Sequence, residues 1–269
     1  MTSLLSPNNL AHLINLDRHP IDDRHWLDTC RDELDQSGVI VLKAFLAADA
    51  VNQLQKEAEA GLDEAYFNPQ THTIYLSPPD PQFAPDHIRN RLVLSSKGCI
   101  CDDQIDAGSV LKQLYHHPVF QQALCVILQE EQLYPYADSL SSVNIHYARK
   151  GEELNWHFDN SSFAVTLMIS PATAGGHFEY VKDVRRSDSG DMGFETAEQI
   201  INGTIEANTL NLDAGDLCLF RGRDSLHRVS PVADNSVRQL AVLAYNHEPG
   251  ICLSPAAQQT FYGRVDTAS

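Results

Sequence analysis

The sequence predicts an α+β domain in which helices come first and a β-core follows. Three observations carry that expectation. Apolar residues recur at helical spacing in the first half of the chain, and short apolar runs separated by turn residues fill the stretch after Leu133. A length of 269 residues with 43% hydrophobic content suits one large core. We therefore expect a single domain over residues 1–269, mainly helical with a lid loop over 1–132, and a β-core over 133–250 built as a sandwich or barrel.

Asp22 or Asp23 can cap a helix running to about Ser37, with Trp26, Cys30 and Leu34 on one face and Gly38 at its end. Val39 to Leu42 reads as a short buried strand. A second helix is expected from about Ala48 to Glu64, where Val51, Leu54, Ala58 and Leu62 repeat at helical spacing. The stretch from about Asn68 to Asp106 is rich in Pro and Asp and reads as a long irregular loop, a length usually reserved for lids and binding loops. Ser109 starts a third helical stretch to about Leu128, broken at Pro118, with His116 and His117 solvated on its surface. Strands are then expected at Ser142–Ala148, Phe163–Ser170, Gly176–Val181, Thr209–Leu212, Leu217–Phe220, His227–Val232 and Arg238–Tyr245. Asp188 to Glu206 looks like an inserted, partly helical loop.

Composition narrows the partners. A formal net charge of −17 argues against nucleic acid and anionic membrane surfaces, and leaves a small molecule as the expected partner. The N-terminal stretch to His19 has no basic region ahead of an apolar core, and no apolar run is long enough to span a bilayer. The six cysteines are scattered, and Cys99 with Cys101 is only a weak metal signal, so reduced thiols in a cytoplasmic protein are expected. A homodimer is left open.

The chemistry concentrates between Asn144 and Val181. Its centre is His157-Phe158-Asp159, where residues two apart on an extended segment point to the same side. An HxD triplet alone is a weak signal in a chain with 12 His. His227, returning from a later strand, supplies a third ligand, and two imidazoles with one carboxylate form the open face suited to non-haem Fe(II). Eleven residues after His227, Arg238 opens an apolar strand, where its planar fork suits a buried carboxylate. A rival pair, His177 and Glu179, follows two glycines; we read it as the strand opposite the first, with Glu179 supporting the site from behind.

This joint pattern resembles the Fe(II)/2-oxoglutarate-dependent oxygenases. Its finer features are similar to the branch of free-amino-acid halogenases and related hydroxylases. The matching pieces are Tyr134 to Asp138, Trp156-His-Phe-Asp159, Thr166-Leu-Met, Gly175-Gly-x-Phe-Glu-Tyr-Val181 and Gly222-Arg-x-Ser-Leu-His-Arg-Val229. The resemblance covers about Leu133 to Asn246 and implies a double-stranded β-helix, a jelly-roll or cupin-like core. It implies Fe(II) held by His157, Asp159 and His227, and 2-oxoglutarate held by Arg238 with Thr166 as a hydroxyl donor, O2 being the co-substrate. The halogenases resembled carry a small residue where this chain has Asp159, so hydroxylation of an unactivated C–H with release of succinate and CO2 is expected, and chlorination is not. The expected substrate is a small free amino acid or a close analogue, with Asn160, Arg91 and Asn144 as candidate contacts, and Arg89 or Arg91 in the loop from Asn68 to Asp106 is a candidate to hold a substrate carboxylate. Asn160 stands where lysine-acting relatives carry an acid, which argues against a basic substrate side chain. Two other readings stand beside this one: the same cofactor chemistry ending in desaturation or cyclisation, and a non-catalytic metal-binding module of cupin type.

Overall fold

The computed structural model describes residues 10–267; the first residues of the N-terminal stretch read above lie outside them. Helix α1 (Arg24–Ser37) starts where Asp23 accepts a hydrogen bond from the Trp26 amide and ends at Gly38 in the left-handed region. Strand β1 (Val39–Leu42) and helix α2 (Ala48–Gly61, extended by a 3-10 turn over Leu62–Glu64) follow. Next come β2 (Tyr66–Phe67), β3 (Gln70–Thr73), β4 (Leu92–Ser95) and β5 (Gly98–Ile100). Helices α3 (Val110–Tyr115) and α4 (Pro118–Leu128) are separate, with Pro118 in the first turn of the second. The remaining elements are β6 (Val143–Ala148), β7 (Leu154–His157), β8 (Ala164–Ser170), β9 (Phe178–Val181), α5 (Phe194–Ile201), β10 (Asn208–Leu210), β11 (Leu217–Phe220), β12 (Leu226–Val229), β13 (Arg238–Leu243) and α6 (Pro255–Tyr262).

Two antiparallel sheets result, a larger one in the order β1-β11-β8-β13-β6-β5-β2 and a smaller one in the order β10-β9-β12-β7-β4-β3. Alternation along each strand divides the larger sheet between two environments. Val143, Ile145 and Tyr147, Val165, Leu167 and Ile169, and Ala241 and Leu243 pack against the helices in the main core. Tyr147 is fully buried there and donates its hydroxyl to the Ala58 carbonyl, pinning α2 to the sheet. The alternate residues, among them Thr166, Cys218 and Arg238, face the smaller sheet. This is the double-stranded β-helix expected for the chain, mixed α+β overall.

Three expectations need correction. The stretch from Asn68 to Asp106 is not wholly irregular: it contributes β3, β4 and β5, with β3 on β4 and β5 on β6. Those strands are only three or four residues long, too short for alternation to reveal them, and β3 is also polar throughout. Strand β9 is not next to β7, because β12 pairs with both and lies between them. His117 is also more than a solvated residue, since its Nδ1 accepts from the Val119 amide and caps α4. Among the described residues, no helix is long and apolar enough to cross a membrane.

Candidate metal centre

His157 ends β7 and His227 lies on β12 directly opposite it in the register. Asp159 follows just past the strand end, its amide bonded to the Gly222 carbonyl at 3.0 Å. One ligand atom from each of these three residues lies within 4.8 Å of the others, and they form the one such cluster of His, Cys, Asp and Glu among the described residues. Asp159 Oδ1 is 3.7 Å from His157 Nε2 and 3.5 Å from His227 Nε2. Both rings are oriented from behind. His157 Nδ1 lies 2.7 Å from the Asn155 carbonyl, and His227 Nδ1 lies 3.0 Å from the Ser225 carbonyl. Each carbonyl needs an N–H donor, which fixes the tautomer and leaves both Nε2 lone pairs free to bind a metal.

Electrostatics keep the cluster ready for a cation. Burial, with His227 adding to it, pushes His157 down to about 3, so its imidazole is neutral. Burial also works to raise Asp159, but the charges that face it, His227 and His157 when protonated and then Lys97, outweigh it and hold the carboxylate down at about 2. Gly222 makes room for that carboxylate. A Cβ at this position would fall 2.6 Å from Asp159 Cγ and closer still to Oδ2.

Arg238 stands apart from this cluster, where β13 faces Ala148 on β6. It is 4% exposed, makes no ion pair among the described residues, and its Nε has no hydrogen-bond partner. Burial lowers its guanidinium to about 10. A Cβ on Gly176 would come within 3.0 Å of its Cδ, so the missing side chain there lets the arginine pass. Thr166, on β8, pairs across from Cys218 and hydrogen-bonds its thiol.

Other sequence candidates are placed differently. Asn144 is buried, with its amide donating to the Leu140 and Val143 carbonyls and its oxygen accepting from Tyr262. Its hydrogen-bonding capacity is spent on packing α6. Arg91 bonds Asn202, and Asn160 is exposed at the rim with its carbonyl bonded to Arg223. His177 is exposed, and Glu179 forms a 2.7 Å ion pair with Arg228, which stacks on Trp156. Glu179 therefore faces away from the cluster and does not support it. Cys99 and Cys101 are buried free thiols, and burial pushes Cys99 up to about 12.

Sequence reasoning missed three neighbours, Arg185, Lys97 and His146, and offered Arg89 only beside Arg91 as a loop arginine for a substrate carboxylate. Arg185 donates to the Asp159 carbonyl and lies 4.3 Å over the Phe158 ring. Arg89 lies 5.7 Å over Tyr75, with a buried Nη1 that has no partner. Lys97 and His146 line one cavity with Arg238. None of these belongs to a short motif. Only cross-strand register and loop folding bring them in.

The comparisons with known proteins agree with this geometry. The family model described as Halogenase D matches residues 85–259. No curated protein matches the sequence. Among solved structures, the chain is similar to an oxidoreductase of the 2OG-Fe(II) oxygenase family from Burkholderia pseudomallei, with 13% identity, 84% of this chain and 92% of that chain covered, and a TM-score of 0.53. It is similar to the non-heme alpha ketoglutarate dependent epimerase SnoN from nogalamycin biosynthesis, with 14% identity, 83% and 84% covered, and a TM-score of 0.57. It is also similar to AviO1 from Streptomyces viridochromogenes, with 16% identity, 85% and 97% covered, and a TM-score of 0.53. At these identities the likeness speaks for a shared fold.

Proposed function

The chain belongs to the Halogenase D family, within the Fe(II)/2-oxoglutarate-dependent oxygenases, and from that premise we propose that it hydroxylates an unactivated C–H of a small free amino acid or amino-acid-like substrate. Its cofactors are Fe(II) and 2-oxoglutarate. In this reading His157, Asp159 and His227 hold the metal, and Arg238, with Thr166, receives the distal carboxylate of 2-oxoglutarate. The residues fit both groups: two neutral imidazoles and a carboxylate are the donor set of non-haem Fe(II) sites, and Arg238 is a buried cation waiting for an anion. An isolated buried charge costs several kcal/mol, so a position like this is retained where a ligand supplies the missing partner.

The observation that carries hydroxylation over chlorination is the Asp159 carboxylate in the cluster, with Gly222 leaving space for it. It fills the coordination position a halide would need and adds a negative charge there.

When bound, the cofactors supply oxidation of the substrate C–H coupled to decarboxylation of the cosubstrate. The balance is one substrate, one 2-oxoglutarate and one O2 giving one hydroxylated product, succinate and CO2. The chain's own residues orient and enclose the reactants. The Asn155 and Ser225 carbonyls hold the imidazoles in place, and Arg238 sets the direction of the cosubstrate. For the substrate, Arg89 offers a buried, unpartnered Nη1. Arg185 sits beside it around the same Tyr75 ring, at 5.9 Å, and touches Asp159. Two guanidinium groups next to the metal face suit the carboxylate of a free amino acid, a role that the arrangement favours for Arg89 over Arg91.

The test is product analysis. The iron-loaded protein is incubated with an amino-acid panel and 2-oxoglutarate under labelled O2 in chloride-rich buffer. A product heavier by one labelled oxygen is expected. A chlorinated major product, or one that has lost two hydrogens, overturns the proposal.

A further inference from the structure

Across three adjacent strands of the larger sheet, one level carries two cations with a small residue between them. Arg238 on β13 pairs with Ala148 on β6, and Gly98 on β5 pairs with Tyr147, so Lys97, one residue earlier, stands across from Ala148 on the other side. Lys97, His146, Ala148 and Arg238 line a single cavity.

Neither cation is ion-paired, and the carboxylate of Asp159 acts on Lys97 only from beyond ion-pair distance. Lys97, like Arg238, forms no ion pair among the described residues; Nζ lies 2.8 Å and 3.0 Å from the two ring nitrogens of His146. That ring is itself uncharged, because burial and then Lys97 and Arg238 drive its pKa well below the usual histidine range. Glu153 also lines the cavity, but the cation acting on it is Arg228, and it does not reach Lys97. A neutral imidazole accepts one proton of an ammonium and leaves its charge unbalanced. Two unbalanced cations in one small chamber repel each other, and burial alone does not explain keeping both.

We infer that Lys97 and Arg238 form a two-cation clamp for a single carboxylate seated over Ala148, the distal carboxylate of 2-oxoglutarate. This rests on the reading of Arg238 as the cosubstrate's partner and adds a second anchor to it. The arginine fork can take two oxygens in plane, and the ammonium can approach from the side that the fork leaves open. Ala148 is required because a larger side chain would occupy the seat. His146 accepts from the Lys97 ammonium and holds it in position when the seat is empty, and Lys97 donates an N–H to the carboxylate oxygen when it is filled.

The experiment is anaerobic calorimetry on the Fe(II) protein with two probes: 2-oxoglutarate, and 2-oxopentanoate, which has the same chain length but lacks the distal carboxylate. Lys97→Met should weaken 2-oxoglutarate binding about tenfold or more, as expected for loss of one charge-assisted contact, and leave 2-oxopentanoate binding unchanged. Its melting temperature without ligand should not fall, because a half-buried charge with no ion-pair partner has been removed. Lys97→Arg should restore part of the preference for the diacid. Unchanged 2-oxoglutarate affinity in Lys97→Met, or equal weakening of both probes, overturns the clamp. Arg238→Met separates the two ideas. If it too leaves the diacid preference intact, the reading of Arg238 fails. If it abolishes the preference while Lys97→Met does not, only the second anchor fails.

Discussion

Gly222→Ala puts the metal centre to a severe test, because it adds one methyl group and removes no candidate ligand. The new Cβ would fall 2.6 Å from Asp159 Cγ, whereas ordinary contact begins at 3.4 Å. The carboxylate must therefore retreat by at least about 0.8 Å, and metal–ligand distances tolerate only about 0.2 Å. Gly222 does not lie in the left-handed region, so alanine adds no backbone strain, and the fold should survive with little change in melting temperature. The expected result is a loss of Fe(II) affinity of about 10- to 100-fold, the usual scale for disturbing a ligand's support. Anaerobic metal titration reads the affinity, and circular dichroism checks the fold. The same alanine introduced into Asp159→Ala should cost little further, since the carboxylate is gone and only the milder 3.1 Å contact with the Cβ of residue 159 remains. Wild-type affinity in Gly222→Ala, or an equal further loss in the Asp159→Ala background, would refute the placement of that carboxylate on the metal.

Two other outcomes are expected. His157→Ala should abolish tight iron binding while His177→Ala leaves it intact, because His177 is exposed and its strand partner Glu179 is tied to Arg228; metal titration of the two variants decides between the pairs. Without ligand, burial holds Lys97 down to about 8 from an ordinary 10.5, so the unfolded chain binds its proton more tightly over that interval and stability should rise with pH between those values. The upper bound is about 3 kcal/mol at 1.36 kcal/mol per pH unit, and urea unfolding of wild type relative to Lys97→Met at pH 7 and about pH 10 checks it; a difference that does not narrow at the higher pH refutes it.

What the sequence reveals depends on how each signal is encoded. Strands β8, β11 and β13 were readable because they sit in the interior of the larger sheet, where burial selects near-continuous apolar residues, and β1, at its edge, because Val39 to Leu42 is apolar throughout. Strand β3 lies at the far edge of the smaller sheet and Gln70 to Thr73 carry no apolar residue, so nothing in composition separates it from loop, while β4 beside it is apolar but only four residues long, with Leu92 and Leu94 exposed. The same distinction governs the site. The spacing of His157 and Asp159 is local, and His227 and Arg238 flank recognisable strands. Lys97 reaches Arg238 only because β5, β6 and β13 lie side by side, and Gly222 serves Asp159 only because their backbones meet. Residues whose purpose is set by register leave no trace along the chain.

The proposed outcome of the reaction turns on whether a member of a halogenase family can place a halide beside this carboxylate. Asp159 is held down at about 2, so it stays anionic at any pH where the protein functions. Its amide is fixed to the Gly222 carbonyl and its own carbonyl to Arg185, so the backbone that carries the carboxylate is tied on both sides. A halide would have to displace a ligand that is already charged, oriented and attached to the chain, and would itself arrive from water at full desolvation cost. At contact distance two like charges repel by about 4 kcal/mol even at an effective dielectric of about 20, a factor of roughly a thousand in occupancy. Only loss of the carboxylate removes that barrier, and the two adjoining features that make room for Asp159, the glycine at 222 and the turn that carries it, would then surround an open position of about the carboxylate's own size. On the proposed reading, the halogenase scaffold and a hydroxylase outcome differ by the presence of one side chain, Asp159, beside which Gly222 leaves space.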